Sequence, residues 1–143
     1  MNFNPMLPSP FYRVTSRAII LDNEQRLIVV QDNKGKWQLP GGGWEHNETF
    51  LTCLQREVKE ELGVLVTEVA DSHFYYMNLD QRGYYSLRIA AHVRLASYEF
   101  IPGDDMVACK AVNRQQFLDL EFTAGEGPVH NYVDQIWPPA ERG

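Results

Sequence analysis

Cysteine is nearly absent from this chain: Cys53 and Cys109 are its only two among 143 residues. That is too few for a disulfide framework, and Cys53 falls in a helical pattern where a small buried apolar residue is expected. Excess positive charge is lacking too. Lysine and arginine number 13 against 19 aspartate and glutamate, a net charge of −6, so no broad basic surface is offered to a nucleic-acid backbone and long polyanionic partners are disfavoured. Apolar runs stop short of membrane-spanning length, and residues 1–10 have neither a basic nor an apolar signal-like region. These absences predict a soluble cytoplasmic protein. Internal repeats and low-complexity tracts are missing as well.

What is present suits one domain over residues 1–143, with 44% apolar and 22% charged residues and a length sufficient for a single core. Pro5, Pro8 and Pro10 make residues 1–11 an extended arm, and Pro138-Pro139 opens a short tail, 138–143. Aliphatic and β-branched runs at 12–21 and 26–31 flank the turn-forming Asp22-Asn23-Glu24-Gln25 and read as a strand pair. From Glu48 to Leu62 the apolar Leu51, Leu54, Val58 and Leu62 recur at helical spacing, and Gly63 stands where a left-handed cap ends a helix. Strands are expected at 64–79 and 84–95 around a turn at Gln81-Arg82-Gly83, then a strand at 106–112 and helices at 113–120 and 129–136. Alternating strands and helices suggest a mixed sheet covered on both faces.

Residues Gly42 to Val64 carry the chemistry. Seven positions, Gly42, Glu48, Arg56, Glu57, Glu60, Glu61 and Gly63, fit a fixed pattern that chance would match on the order of once in 10⁸ start positions. On a helix, Glu57, Glu60 and Glu61 stand at i, i+3 and i+4, within an arc of about 100°. Like charges so placed repel, and they sit near the negative end of the helix dipole. A divalent cation removes both objections; hard oxygen donors with no cysteine or histidine pair nearby favour Mg²⁺ or Mn²⁺ over Zn²⁺. The alternative is a solvated acidic face with Arg56 pairing Glu60. Gly41, Gly42 and Gly43, just before the helix, let backbone N–H groups approach a ligand.

On these residues, together with the lead-in Trp37-Gln38-Leu39-Pro40-Gly41-Gly42, the chain resembles the Nudix hydrolases of the compact, MutT-like type from about Tyr12 to Leu120. The resemblance implies an α/β/α sandwich around a mixed sheet, with the box as a loop-helix-loop, and hydrolysis of a nucleoside diphosphate linked to another group. It implies that Glu57, Glu60 and Glu61 hold one or more divalent ions, that one of them, Glu57 in the first instance, helps deprotonate the attacking water, and that Arg56 and Glu48 orient loop and helix. A further acidic ligand from a later loop would be Asp105, with Asp104 the alternative. Two positions depart from the family pattern: Asn47 replaces a common glycine, which Asn tolerates through its access to positive φ, and Ala111 stands where a Trp is often found.

Substrate markers of ADP-ribose and dinucleotide-polyphosphate subfamilies are missing: no proline occurs at Asn78-Leu79-Asp80, and Arg82-Gly83 occupy the tyrosine position, although Tyr84 is close. A nucleoside triphosphate or other small nucleotide remains. The aromatics His73-Phe74-Tyr75-Tyr76 and Tyr84-Tyr85 are candidates to stack a base, and Arg88, His92 or Arg94 to meet phosphate; packing is the competing role for each. Two rival functions are a non-catalytic nucleotide sensor, against which all four acidic box positions are intact, and RNA 5′-end pyrophosphohydrolysis, against which the acidic composition counts. A homodimer is compatible with this reading.

Overall fold

The computed structural model describes residues 11–79, 83–103, 106 and 108–139. Seven strands among them form two sheets. The first has the order β4-β1-β6-β5, built from β4 (Gly41–Gly43), β1 (Tyr12–Ile19), β6 (Tyr85–Leu95) and β5 (Val66–Leu79); β1 and β6 run parallel and the other pairs antiparallel. The second is antiparallel, β3 (Trp37–Gln38), β2 (Leu27–Gln31) and β7 (Ala108–Val112) in that order.

The expected pairing of the first two strands is therefore corrected. The turn between them forms, with Asp22 N–H on Arg26 O at 2.9 Å and a single bridge from Leu21 to Leu27. The strands then part into different sheets. Thr15 to Ile19 and Leu27 to Val30 are all buried, so each strand is covered on both faces and is satisfied best in the middle of a sheet.

Alternation along the strands divides the core in two. Ala18, Ile20, Ile28 and Val30 pack with Leu54, Val58 and Leu62 of α1 (Phe50–Leu62). Ile19, Leu27, Val29 and Ala90 pack on the other side with Phe117, Val129 and Ile136. Those last three come from α2 (Arg114–Asp119), a 3₁₀ segment (Ala124–Tyr132) and α3 (Val133–Ile136). The result is the expected α/β/α layering.

α1 begins two residues later than the apolar spacing predicts, because Thr49 is extended and caps it: its hydroxyl accepts from Thr52 N–H at 3.2 Å while Thr52 Oγ1 accepts from Thr49 N–H at 2.8 Å. Gly63 closes it at φ 71°, as predicted. Cys53 is buried as expected, whereas Leu51 is 44% exposed and lies off the buried stripe. The helix expected at 129–136 is α-helical only over Val133–Ile136; Pro128 lies inside the preceding 3₁₀ segment, where a missing N–H and fixed φ oppose an α-helix. Among the described residues no helix is long and apolar enough to cross a membrane.

Candidate active site

Strand β4 is three glycines, each pressed by a different neighbour. A Cβ on Gly41, whose φ is 143°, would stand 1.9 Å from Ser16 O; one on Gly42 would stand 2.4 Å from the Glu57 carboxyl carbon; one on Gly43 would stand 2.1 Å from Arg13 Nη2. Backbone and functional side chains thus share space that any other residue would fill. Asn47 takes φ 69°, so the loop adopts the left-handed turn for which its family position commonly uses glycine.

Arg56 organises this loop. Its Nε and Nη2 donate to the two oxygens of Glu48, each at 2.8 Å, and Nη2 also donates to Gly43 O at 3.1 Å. Nη1 donates to Glu57 at 2.8 Å and to Glu60 at 3.3 Å. Such bidentate, charge-assisted pairing fixes direction as well as distance. The Arg56 guanidinium and the Glu45 N–H hold the Glu48 carboxyl at about 2, well below its ordinary range, and Glu48 in turn raises the Arg56 pKa.

The three helix glutamates do not form one equivalent anionic face, which corrects the sequence expectation. The Glu60 side chain is 59% exposed and that of Glu57 16%. Glu61 is buried beneath β4, where Gly41 N–H donates to it at 3.2 Å. Burial, reinforced by the neighbouring Glu57 and opposed by Arg17, pushes the Glu61 carboxyl up to about 8. The hard oxygen donors suit a divalent ion, yet among the described residues no three His, Cys, Asp or Glu side chains are gathered tightly enough to hold one; as they stand, Arg56 engages both Glu57 and Glu60. Asp104 and Asp105 lie outside the described residues. Two surface depressions, about 390 and 680 Å³, lie around Asp22, Asn23 and Tyr98, and neither is lined by a box glutamate.

Arg88, expected to meet phosphate, is 7% exposed; its Nη1 donates to Glu126 at 2.6 Å and its Nε has no partner. Glu126 is fully buried in the 3₁₀ segment and also accepts from Tyr76 Oη at 2.8 Å and Leu39 N–H at 3.1 Å, with Arg17 Nε 3.6 Å away. Arg17 donates to Leu39 O at 2.9 Å and Gly41 O at 3.3 Å. This buried group braces the glycine strand from behind. Burial opposes ionisation of Glu126, but Arg88 and Arg17 more than offset it and its pKa falls. Tyr76 is thereby committed to the core, and Phe74 stacks on Tyr132 at 4.8 Å. His92 bonds Ile136 O at 2.9 Å and Arg94 lies exposed near Glu68. Trp37 packs at the core edge beneath the Lys110 ammonium, 4.3 Å from its ring centre. Sequence reading missed Glu126 altogether; the clue it passed over was Arg17, a lone charge inside a run of buried apolar residues.

The family model that describes the NUDIX domain matches residues 11–132. The mouse (Mus musculus) 8-oxo-dGDP phosphatase NUDT18 is 34% identical over 70 residues, which are 46% of this chain and 20% of that protein. A MutT-like protein of Streptomyces ambofaciens is 38% identical over 71 residues, 48% of this chain and 45% of that protein. The chain thus spans less than half the length of these curated relatives. The crystal structure of the MutT protein from Methanosarcina mazei Go1 superposes with a TM-score of 0.73 over 95% of this chain and 99% of that one, at 17% identity, a likeness of fold. With the seven box positions, the glycine strand and the Arg56–Glu48 clamp assembled within the matched span, the chain belongs to the NUDIX domain family.

Proposed function

We propose that the chain is a divalent-metal-dependent pyrophosphohydrolase cleaving a phosphoanhydride bond in a small nucleotide, a nucleoside di- or triphosphate in the first instance. The observation that carries this reading is Glu57 held between Arg56 Nη1, at 2.8 Å, and Gly42, whose missing Cβ leaves the carboxylate against the backbone of β4. Glu57, Glu60 and Glu61 would hold Mg²⁺ or Mn²⁺ once the ion takes the place of Arg56 Nη1 on Glu57 and Glu60 and draws the three carboxylates together, with Asp105 a further oxygen donor. Bound there, such an ion polarises a phosphoryl oxygen and acidifies water. Glu57 would take the proton of the attacking water, and Arg56 would position it by anchoring the helix to Glu48 and Gly43 O. Glu61 and Gly41 N–H tie the helix to the opposite end of the same strand. Small nucleotides are favoured over long polyanions by the net charge of −6 and by the NUDT18 relative, named for an oxidised nucleoside diphosphate.

Phosphate-product release from canonical and oxidised nucleoside di- and triphosphates, nucleotide sugars, dinucleotide polyphosphates and 5′-triphosphorylated RNA tests the reading, with Mg²⁺ or Mn²⁺ and with EDTA. Turnover of a small nucleotide should vanish in EDTA and fall at least about 10²-fold in Glu57→Gln. Full activity of that variant would remove Glu57 from its role. Tight nucleotide binding without product would make the protein a sensor.

A further inference from the structure

Arg13 is a cation for which the hydrolase reading has no use. Its guanidinium lies across Gly43, with Nη2, Nε and Cζ at 2.1, 2.4 and 2.5 Å from where a Cβ would be. Among the described residues it makes no hydrogen bond or ion pair. Parallel register sets Arg13 beside Ser86 and Thr15 beside Arg88, while Thr15 also faces Gly43 across the β1–β4 pair. Residues paired in a sheet share a face, as do residues two apart in a strand, so these four side chains stand in two adjacent rows on one side of the sheet.

Three of the four carry buried polar atoms with no partner: Thr15 Oγ1, Ser86 Oγ and Arg88 Nε, on residues that are 4%, 1% and 7% exposed. Native folds leave few such atoms, and each calls for an explanation. Arg17, on the same face, adds a fourth in its Nε. All four unmet groups are hydrogen-bond donors, as is Arg13 itself. The charge balance is also lopsided: Arg13, Arg17 and Arg88 share this face with one buried carboxylate, Glu126. A set of donors with surplus positive charge, buried except at the half-buried Arg13, suits anionic oxygens.

We propose that Arg13, Thr15, Ser86 and Arg88 form an anion subsite for phosphoryl oxygens, taking the part of the substrate's phosphate chain remote from the bond that breaks. Gly42 is pressed by Glu57 and Gly43 by Arg13, so acidic and cationic side chains face opposite sides of one strand at positions roughly 3.3 Å apart along it. A phosphate chain crossing the end of β4 meets both. The subsite rests on the hydrolase reading only for the source of its anion.

Calorimetric titration in EDTA at low salt, with inorganic pyrophosphate as the probe and uridine as its uncharged control, tests the subsite apart from catalysis. Wild type and Arg94→Ala should bind pyrophosphate alike, Arg13→Ala about tenfold or more weakly, and Ser86→Ala more weakly than wild type, with melting temperatures showing each variant folded. With a hydrolysed nucleotide, Arg13→Ala should raise KM about tenfold and leave kcat within about threefold, the pattern of lost uniform binding. Undiminished pyrophosphate binding by Arg13→Ala overturns the proposal, as does Arg13-dependent binding of uridine, which would make this a base pocket. Hydrolysis by a wild type that binds no pyrophosphate in EDTA sinks the subsite alone. Arg13-dependent binding by a protein that hydrolyses nothing sinks the hydrolase reading alone.

Discussion

Glu48 and Glu61 show how far one side-chain type is tuned by its surroundings. Glu61 is pushed from an ordinary 4.5 up to about 8 by burial, while Glu48 is held at about 2 by Arg56. Between pH 4.5 and 8 the folded chain keeps the Glu61 proton that the unfolded chain releases. Metal-free stability from this group is therefore complete below 4.5 and declines as pH rises toward 8, by at most about 1.4 kcal/mol per unit. Glu48 acts in the opposite sense, contributing above 4.5 and losing its contribution as pH falls toward 2. Melting temperatures in EDTA should accordingly fall between pH 5 and 8 in wild type and flatten in Glu61→Gln. Parallel curves for the two proteins would show that Glu61 is not the group responsible. In Glu48→Gln the acid limb should shrink instead, since no carboxylate is left there to protonate.

At the scale of elements, α1 is fixed by its ends. Thr49→Ala removes the hydroxyl that accepts from Thr52 N–H and should cost about 1 kcal/mol, read as a lower urea midpoint with unchanged slope. Gly63→Ala should cost about as much, since Gly63 holds φ 71° and a Cβ would meet Ile101 O at 3.3 Å. This helix was legible in the sequence because Leu54, Val58 and Leu62 repeat at i+4 and a glycine ends them, all local facts. The separation of β1 from β2 was not legible: a turn is written in four adjacent residues, whereas the choice of sheet partner depends on Gly41–Gly43 and Tyr85–Leu95, far along the chain. The same limit applies inside the box. Spacing put Glu57, Glu60 and Glu61 on one arc, but only the position of β4 over the helix buries Glu61 and leaves Glu60 in water.

Across the whole molecule, Glu126 ties the layers together, joining the 3₁₀ segment to Arg88 of β6, Tyr76 of β5, the lead-in residue Leu39 and, through Arg17, strand β1. Glu126→Ala would strand two buried guanidinium groups and should cost about 3–5 kcal/mol; Glu126→Gln, which keeps an acceptor oxygen for Arg88 and Tyr76 but loses the charge and the acceptor facing Leu39 N–H, should cost less. Equal and small losses in urea titrations of both would show the carboxylate to be dispensable. The same buried carboxylate sets how short a working version of this protein can be made. A chain stopped at residue 120 would retain every box residue from Gly42 to Gly63, yet Arg17 and Arg88 would be left together without their counter-charge. The practical border of the domain therefore falls beyond Glu126, more than sixty residues after the last letter of its signature.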